Sequence, residues 1–171
     1  AFMGPGFFGL KPNPQWISNI VEQRNQAAGD VDFPPALQWA RRPIWFSFQN
    51  LTAWGLGLPL GLLAWAGFLW AGWKMFKRDW QPHVLLWGWT ALYFAWQTTQ
   101  FNPTMRYQLP IYPTLAIFAA WAVISLFDLG RQKLSGGSPL RRKGLALIWA
   151  ARLLGGIVLL ATGIYAFAFV N

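Results

Sequence analysis

From Leu51 to its end the chain is written in long apolar runs parted by short polar or basic breaks, whereas the first fifty residues contain no such run. Leu51 to Trp73 carries no charge over 23 residues. At about 1.5 Å per residue that length crosses a hydrocarbon core of about 30 Å. A second run extends from His83 to Phe101 and turns polar at its far end through Gln97, Thr98, Thr99 and Gln100. That end is expected to face protein or a water-filled cavity, because lipid cannot satisfy such groups. A third run enters at Leu109 or Pro110 and reaches Leu129, and a fourth covers Leu145 to Val170. The pattern predicts an all-α integral membrane fold with about four transmembrane helices over residues 51–171, at 51–73, 83–101, 109–129 and 145–170. Pro59, near the middle of the first run, predicts a kink. Gly57 and Gly61, four apart, admit either close helix contact or a helix that merely tolerates glycine.

Residues 1–50 are polar or aromatic and broken by Pro5, Pro12, Pro14, Pro34, Pro35 and Pro43, which excludes a spanning helix there. Ser18 to Ala28 still reads as a short helix lying at the membrane surface. Trp16, Ile20 and Val21 share one face, and Glu22, Gln23, Arg24 and Gln26 lie on others. Gly29 to Pro35 is turn-rich, and Pro35 or Ala36 is placed to open another short helix through Trp39.

Composition agrees with a membrane chain: 55% of residues are apolar and 11% charged, against about a quarter charged in a typical soluble domain. The net charge of +9 does not point to nucleic acid, since the basic residues fall mainly in short breaks beside apolar runs, where they orient a protein in a bilayer. The breaks at 74–82 and 130–144 hold eight Lys or Arg, while 99–109 holds Arg106 alone. By the positive-inside rule the first two are cytoplasmic. Residues 1–50, the 99–109 loop and the C-terminal end are then extracytoplasmic. Translocating residues 1–50 needs a signal or spans upstream, so a section of a larger polytopic protein, or a cleaved leader, is expected. With no cysteine, disulfides and thiol chemistry are excluded. Trp45, Trp54, Trp70, Trp73, Trp80, Trp96 and Trp149 fall at run ends, as interfacial belts do.

Candidate chemistry centres on residues 102–113. The Arg106 guanidinium is a planar fork of donors suited to phosphate oxygens, and Tyr107, Gln108, Gln97, Gln100 and Asn102 offer neutral hydrogen bonds in the same layer. The alternative is an arginine that snorkels to headgroups. Pro103, Pro110 and Pro113 stiffen the approach and leave carbonyls near Arg106 to Leu109 without helical donors, which suits a shaped pocket. Asp30 and Asp32, one residue apart, would project to one side of an extended segment and suit a divalent cation or a pair of acceptor hydroxyls. Capping and turn roles are the alternative, and two carboxylates do not make a metal site alone. Arg41 and Arg42 are expected to pair with them, to meet headgroup phosphate or to stay solvated. His83 reads as an interfacial histidine rather than a pigment or haem ligand. Arg152 is expected to snorkel or to pair with Asp128. No nucleophile elbow, Walker loop or dinucleotide fingerprint is present.

The stretch Arg106-Tyr107-Gln108-Leu109-Pro110-Ile111-Tyr112-Pro113-Thr114-Leu115-Ala116 resembles the membrane glycosyltransferases that use polyprenyl-phosphate sugar donors, the protein mannosyltransferase and aminoarabinose-transferase relatives. In these a late outer loop ends in Arg or His, Tyr, Leu-Pro and a further Pro as it enters a span. Residues 29–40 and 55–61 look like the large members found in filamentous anoxygenic phototrophic bacteria. The resemblance implies a many-spanning helical fold, a lipid-linked sugar as substrate, and contact of Arg106 and Tyr107 with the donor phosphate. The family's catalytic acid, an outer-loop Asp-Glu or Asp after the first span, has no counterpart before Leu51, and that role is not carried to Asp30 or Asp32. The chain is therefore expected to be the later part of such an enzyme, not catalytic alone, with membrane lipids and further transmembrane helices as partners. The alternative is a non-catalytic structural subunit of a larger, pigment-bearing or photosynthetic, membrane complex.

Overall fold

A computed structural model describes residues 13–30, 34, 42–77, 83–135 and 138–170. Among them the ordered elements are helical, with no strand. Helix α1 spans Pro14–Ala28. It begins four residues before the expected start because Asn13 caps it, its side chain accepting from the Gln15 N–H at 3.0 Å, and Pro14 tolerates the first turn. Gly29 ends it at φ 84°, and its N–H donates to the Asn25 carbonyl. This left-handed turn is one glycine adopts without steric cost. The helix expected after Pro35 lies outside the described residues.

The first apolar run does not form one helix from Leu51. Helix α2, Phe46–Asn50, leads into a π-helical turn at Leu51–Gly55, and helix α3, Leu58–Phe76, starts afresh. Gly57 makes the joint at φ 77°. Pro59 then occupies the first turn of α3 and kinks nothing, since its missing N–H is unpaired there in any case. Gly61 realises the close-contact reading of the glycine pair: a Cβ there would meet the Thr52 backbone. The chain thus doubles back on itself between Thr52 and Gly61.

Helix α4, Val84–Thr98, is only 15 residues long. A 3-10 helix at Met105–Ile111 follows, then α5, Tyr112–Leu134, with Pro113 in its first turn, and α6, Ser138–Val170. Arg131 and Lys133 sit in the last turn of α5, and Arg141, Arg142 and Lys143 ride the first turns of α6. The break expected at 130–144 is therefore mostly helix, and its charges stand on helix ends.

Helix α5 is central, packing on α3 and α6. Small residues at these contacts let the helix backbones approach closely. A Cβ on Gly67 of α3 would strike the Phe118 carbonyl of α5. Gly130 and Gly144 meet where α5 and α6 approach. Leu51, Ala64, Ala71, Ile111 and Leu115 are fully buried between these elements. Two polar contacts tie α4 in: the Trp87 indole donates to the Phe68 carbonyl at 3.1 Å, and the Thr90 and Thr114 hydroxyls bond at 2.8 Å.

Two helical stretches, Met105–Leu134 and Arg141–Ala168, are long and apolar enough to cross a membrane. Only 33% and 22% of their apolar windows are buried inside the protein, so most of that apolar surface faces outward.

Candidate functional site

The bundle has two chemically distinct ends. At the basic end His83 is buried, its ring edge-on to Trp121 at 4.7 Å, and the Lys74 ammonium lies over the same Trp121 ring, 5.4 Å from its centre. His83 is thus packed against an aromatic ring at the basic end. Lys77 stacks on Trp73 at 4.3 Å. Arg152 lies over Phe127 and Trp149, at 5.8 and 5.6 Å, so aromatic faces and not Asp128 receive it.

The Arg106 end holds the polar chemistry. The 3-10 helix turns three residues per cycle, so consecutive side chains diverge by about 120°. Arg106 is exposed, Tyr107 is half exposed, and Gln108 is buried to 1%. These three expected phosphate contacts therefore point three ways and do not converge on one atom. Four of the expected polar residues do converge. Gln97, Gln100, Asn102 and Tyr107 line a cleft of about 410 Å3 together with Ile20, Gln23, Arg24 and Ala27 of α1 and with Trp96. Among the described residues no carboxylate pairs with Arg24, which supplies the cation of this cleft; Arg106 stands outside its lining.

Local bonds shape the wall. The Tyr93 hydroxyl donates to the Tyr107 carbonyl at 2.8 Å and accepts from the Gln97 amide at 3.4 Å. The Thr99 hydroxyl and the Gln100 amide both donate to the Trp96 carbonyl, at 2.8 and 3.1 Å, which ends α4 and turns the chain. The Gly29 turn brings α1 against the ring of Phe101, and a Cβ at Gly29 would lie 2.6 Å from that ring. Gln100 also borders a second cleft, of about 330 Å3, with Arg42, Ile44, Thr98, Thr99 and Phe101. Arg42 lies 5.3 Å from the centre of the Phe46 ring.

Asp30 is exposed, and its N–H donates to the Asn25 carbonyl at 2.9 Å, so it closes the end of α1. Asp32 and Arg41 lie outside the described residues. Among the described residues no group of three His, Cys, Asp or Glu is placed to hold a metal ion. Two further grooves are almost wholly apolar. One, of about 330 Å3, runs between α3, α5 and α6 past Leu63, Ala119 and Gly155; the other, of about 300 Å3, lies beside Gly57 and Tyr165, whose hydroxyl donates to the Trp54 carbonyl. Their linings suit hydrocarbon chains, whereas the clefts at the Arg106 end suit head groups.

Arg24 is the residue that sequence reasoning missed. A cation on the polar face of a surface helix is normally solvated, and only the approach of α1 to residues 96–107 gives it neighbours. Compared with protein-family models, curated proteins and solved structures, the chain matches none.

Proposed function

We propose that the chain is a section of a glycosyltransferase-like integral membrane protein that binds a polyprenyl-phosphate-linked sugar at the outer face of the membrane and does not catalyse transfer alone. The observation that carries this reading is the mixed cleft. Arg24 faces neutral amides and a phenol, with Ile20, Ala27 and Trp96 as an apolar wall. A phosphate joined to a hydrocarbon chain has the matching halves: oxygens for a guanidinium and amide donors, and an apolar tail for the wall and the neighbouring lipid. Arg106, exposed next to Tyr107, adds positive potential at the mouth.

In this reading α3, α4, α5 and α6 are the four spans. The basic end is cytoplasmic, and α1 lies on the outer surface with Trp16, Ile17 and Val21 turned to the headgroup boundary. Those three side chains are 39–49% exposed, and no residue of α1 is buried. The exposed apolar faces of α4 and α6, such as Leu85, Leu92, Leu159 and Phe167, receive lipid or further helices. A carboxylate from another segment would act as base on the acceptor hydroxyl, and the cleft cation would stabilise the departing phosphate.

The deciding experiment measures binding of a short-chain polyprenyl phosphate to the protein in nanodiscs, with and without Arg24→Ala. A loss of affinity of about tenfold or more is expected for removing one charged hydrogen-bond donor. Equal binding by both proteins, or none by either, sinks the proposal.

A further inference from the structure

Six buried side-chain atoms have no hydrogen-bond partner among the described residues: Ser47 Oγ, Trp65 Nε1, Thr98 Oγ1, Asn102 Oδ1, and both Oε1 and Nε2 of Gln108. Native proteins rarely leave such groups unpaired, because burial strips their water and returns nothing.

Chain direction places these groups together. Arg42 and Ile44, just before α2, border the cleft with Thr98 to Phe101 at the Arg106 end, so α2 sets out from that end; the 3-10 helix leads from the same end into α5, and α4 arrives there from the basic end. Ser47 lies four residues before Leu51, Gln108 three before Ile111, and Thr98 four after Phe94. Leu51 and Ile111 are fully buried and Phe94 packs on the same core. Helical geometry sets each polar residue on the same face as its apolar partner, one turn closer to the Arg106 end. The three therefore form a polar layer over the apolar core. Trp65 lies beneath it, 5.2 Å from Phe48 of α2 and 4.8 Å from Phe94 of α4, measured between ring centres. Both clefts border this unpaired set: Asn102 lines the one with Arg24, Thr98 the one with Arg42.

The chemistry of the set defines its partner. Gln108 Nε2 and Trp65 Nε1 donate, Gln108 Oε1 and Asn102 Oδ1 accept, and the Ser47 and Thr98 hydroxyls do either. None is charged. A neutral partner that both donates and accepts from one atom fits all six, and that is a hydroxyl.

We infer that this layer binds neutral O–H groups, those of ordered water or those of the sugar on a lipid-linked ligand whose phosphate meets Arg24. The sugar source rests on the function proposed above; the water source does not. Gln108 thereby becomes a sugar or water contact and not a phosphate contact.

The test uses the full chain in nanodiscs and Gln108→Leu, which removes both amide atoms at similar volume. Thr98→Val, which swaps a hydroxyl for a methyl, repeats it if the first variant fails to fold. Thermal midpoints are measured without ligand, and affinities are measured for a polyprenyl phosphate and for its hexosyl derivative. Sugar hydroxyls predict about a tenfold or greater loss for the hexosyl lipid alone. Water predicts a lower midpoint and no change in either affinity. An unchanged or raised midpoint with both affinities unchanged means a dry layer and overturns the inference. Equal loss for both lipids places Gln108 at the phosphate and overturns it too. If neither protein binds either lipid but the midpoint falls, the water assignment stands and the proposed function fails.

Discussion

The phenol of Tyr93 fills the acceptor that Pro110 leaves open at Tyr107. In a 3-10 helix the carbonyl of residue 107 would receive the N–H of residue 110, and proline has none. Tyr93 donates there instead, at 2.8 Å, from α4. One bond thus holds α4 to the 3-10 helix and sets the position of Tyr107.

Tyr93→Phe removes that bond and keeps the ring. The expected cost is about 0.5–1.5 kcal/mol of stability, with weaker polyprenyl phosphate binding because the cleft wall loosens. Thermal unfolding and binding in nanodiscs check both; an unaltered melt would show that the 3-10 helix holds without Tyr93.

Gly67 is where α3 touches the backbone of α5. Gly67→Leu is expected to cost about 1–3 kcal/mol through overpacking, or more if the helices part. Gly156, with open space around its Cβ position, is the control: Gly156→Ala should be neutral or stabilising by up to about 1 kcal/mol. Parallel thermal melts compare the two, and equal effects would refute the contact.

Arg24 and Arg106 are both exposed but differ in placement, one in the cleft lining and one outside it. Arg24→Ala should therefore weaken lipid-phosphate binding about tenfold or more, and Arg106→Ala should weaken it less and chiefly at low salt. Titrations at two ionic strengths separate the cases. A larger loss at Arg106 would return the phosphate to the position expected from the sequence.

The chain has no cysteine, so single cysteines introduced at Ser138 and Thr104 are unambiguous topology reporters. In intact cells, a membrane-impermeant thiol reagent should label the protein at position 104 and spare position 138. Labelling at 138 would invert the orientation.

The apolar runs made the helices legible, because length and periodicity are local properties; the Asn13 cap that starts α1 at Pro14 instead of Ser18 is equally local but stands outside the apolar periodicity that marked the helix. The joint at Gly57 was not. Gly-Leu-Pro inside an apolar run fits either a kink or a fresh helix start, and the choice is made by Thr52 packing on Gly61. At the site, Gln97, Gln100, Asn102 and Tyr107 were readable as polar residues at a span end. That Arg106, Tyr107 and Gln108 diverge depends on 3-10 winding, which proline spacing suggests only weakly. Arg24 reaches the cleft through tertiary contact, which no local pattern carries.

The brevity of α4 has a consequence for the bilayer itself. Its 15 residues reach about 22 Å at about 1.5 Å per residue, against a hydrocarbon thickness of about 30 Å. With α4 and α6 as two of the proposed spans, lipid beside α4 would thin to match it, while the 33 residues of α6 would tilt or overhang on the other flank. The protein would then sit as a wedge, with the membrane surface dipping beside the cleft, so that a lipid head group arrives at Arg24 with less lift out of its own leaflet.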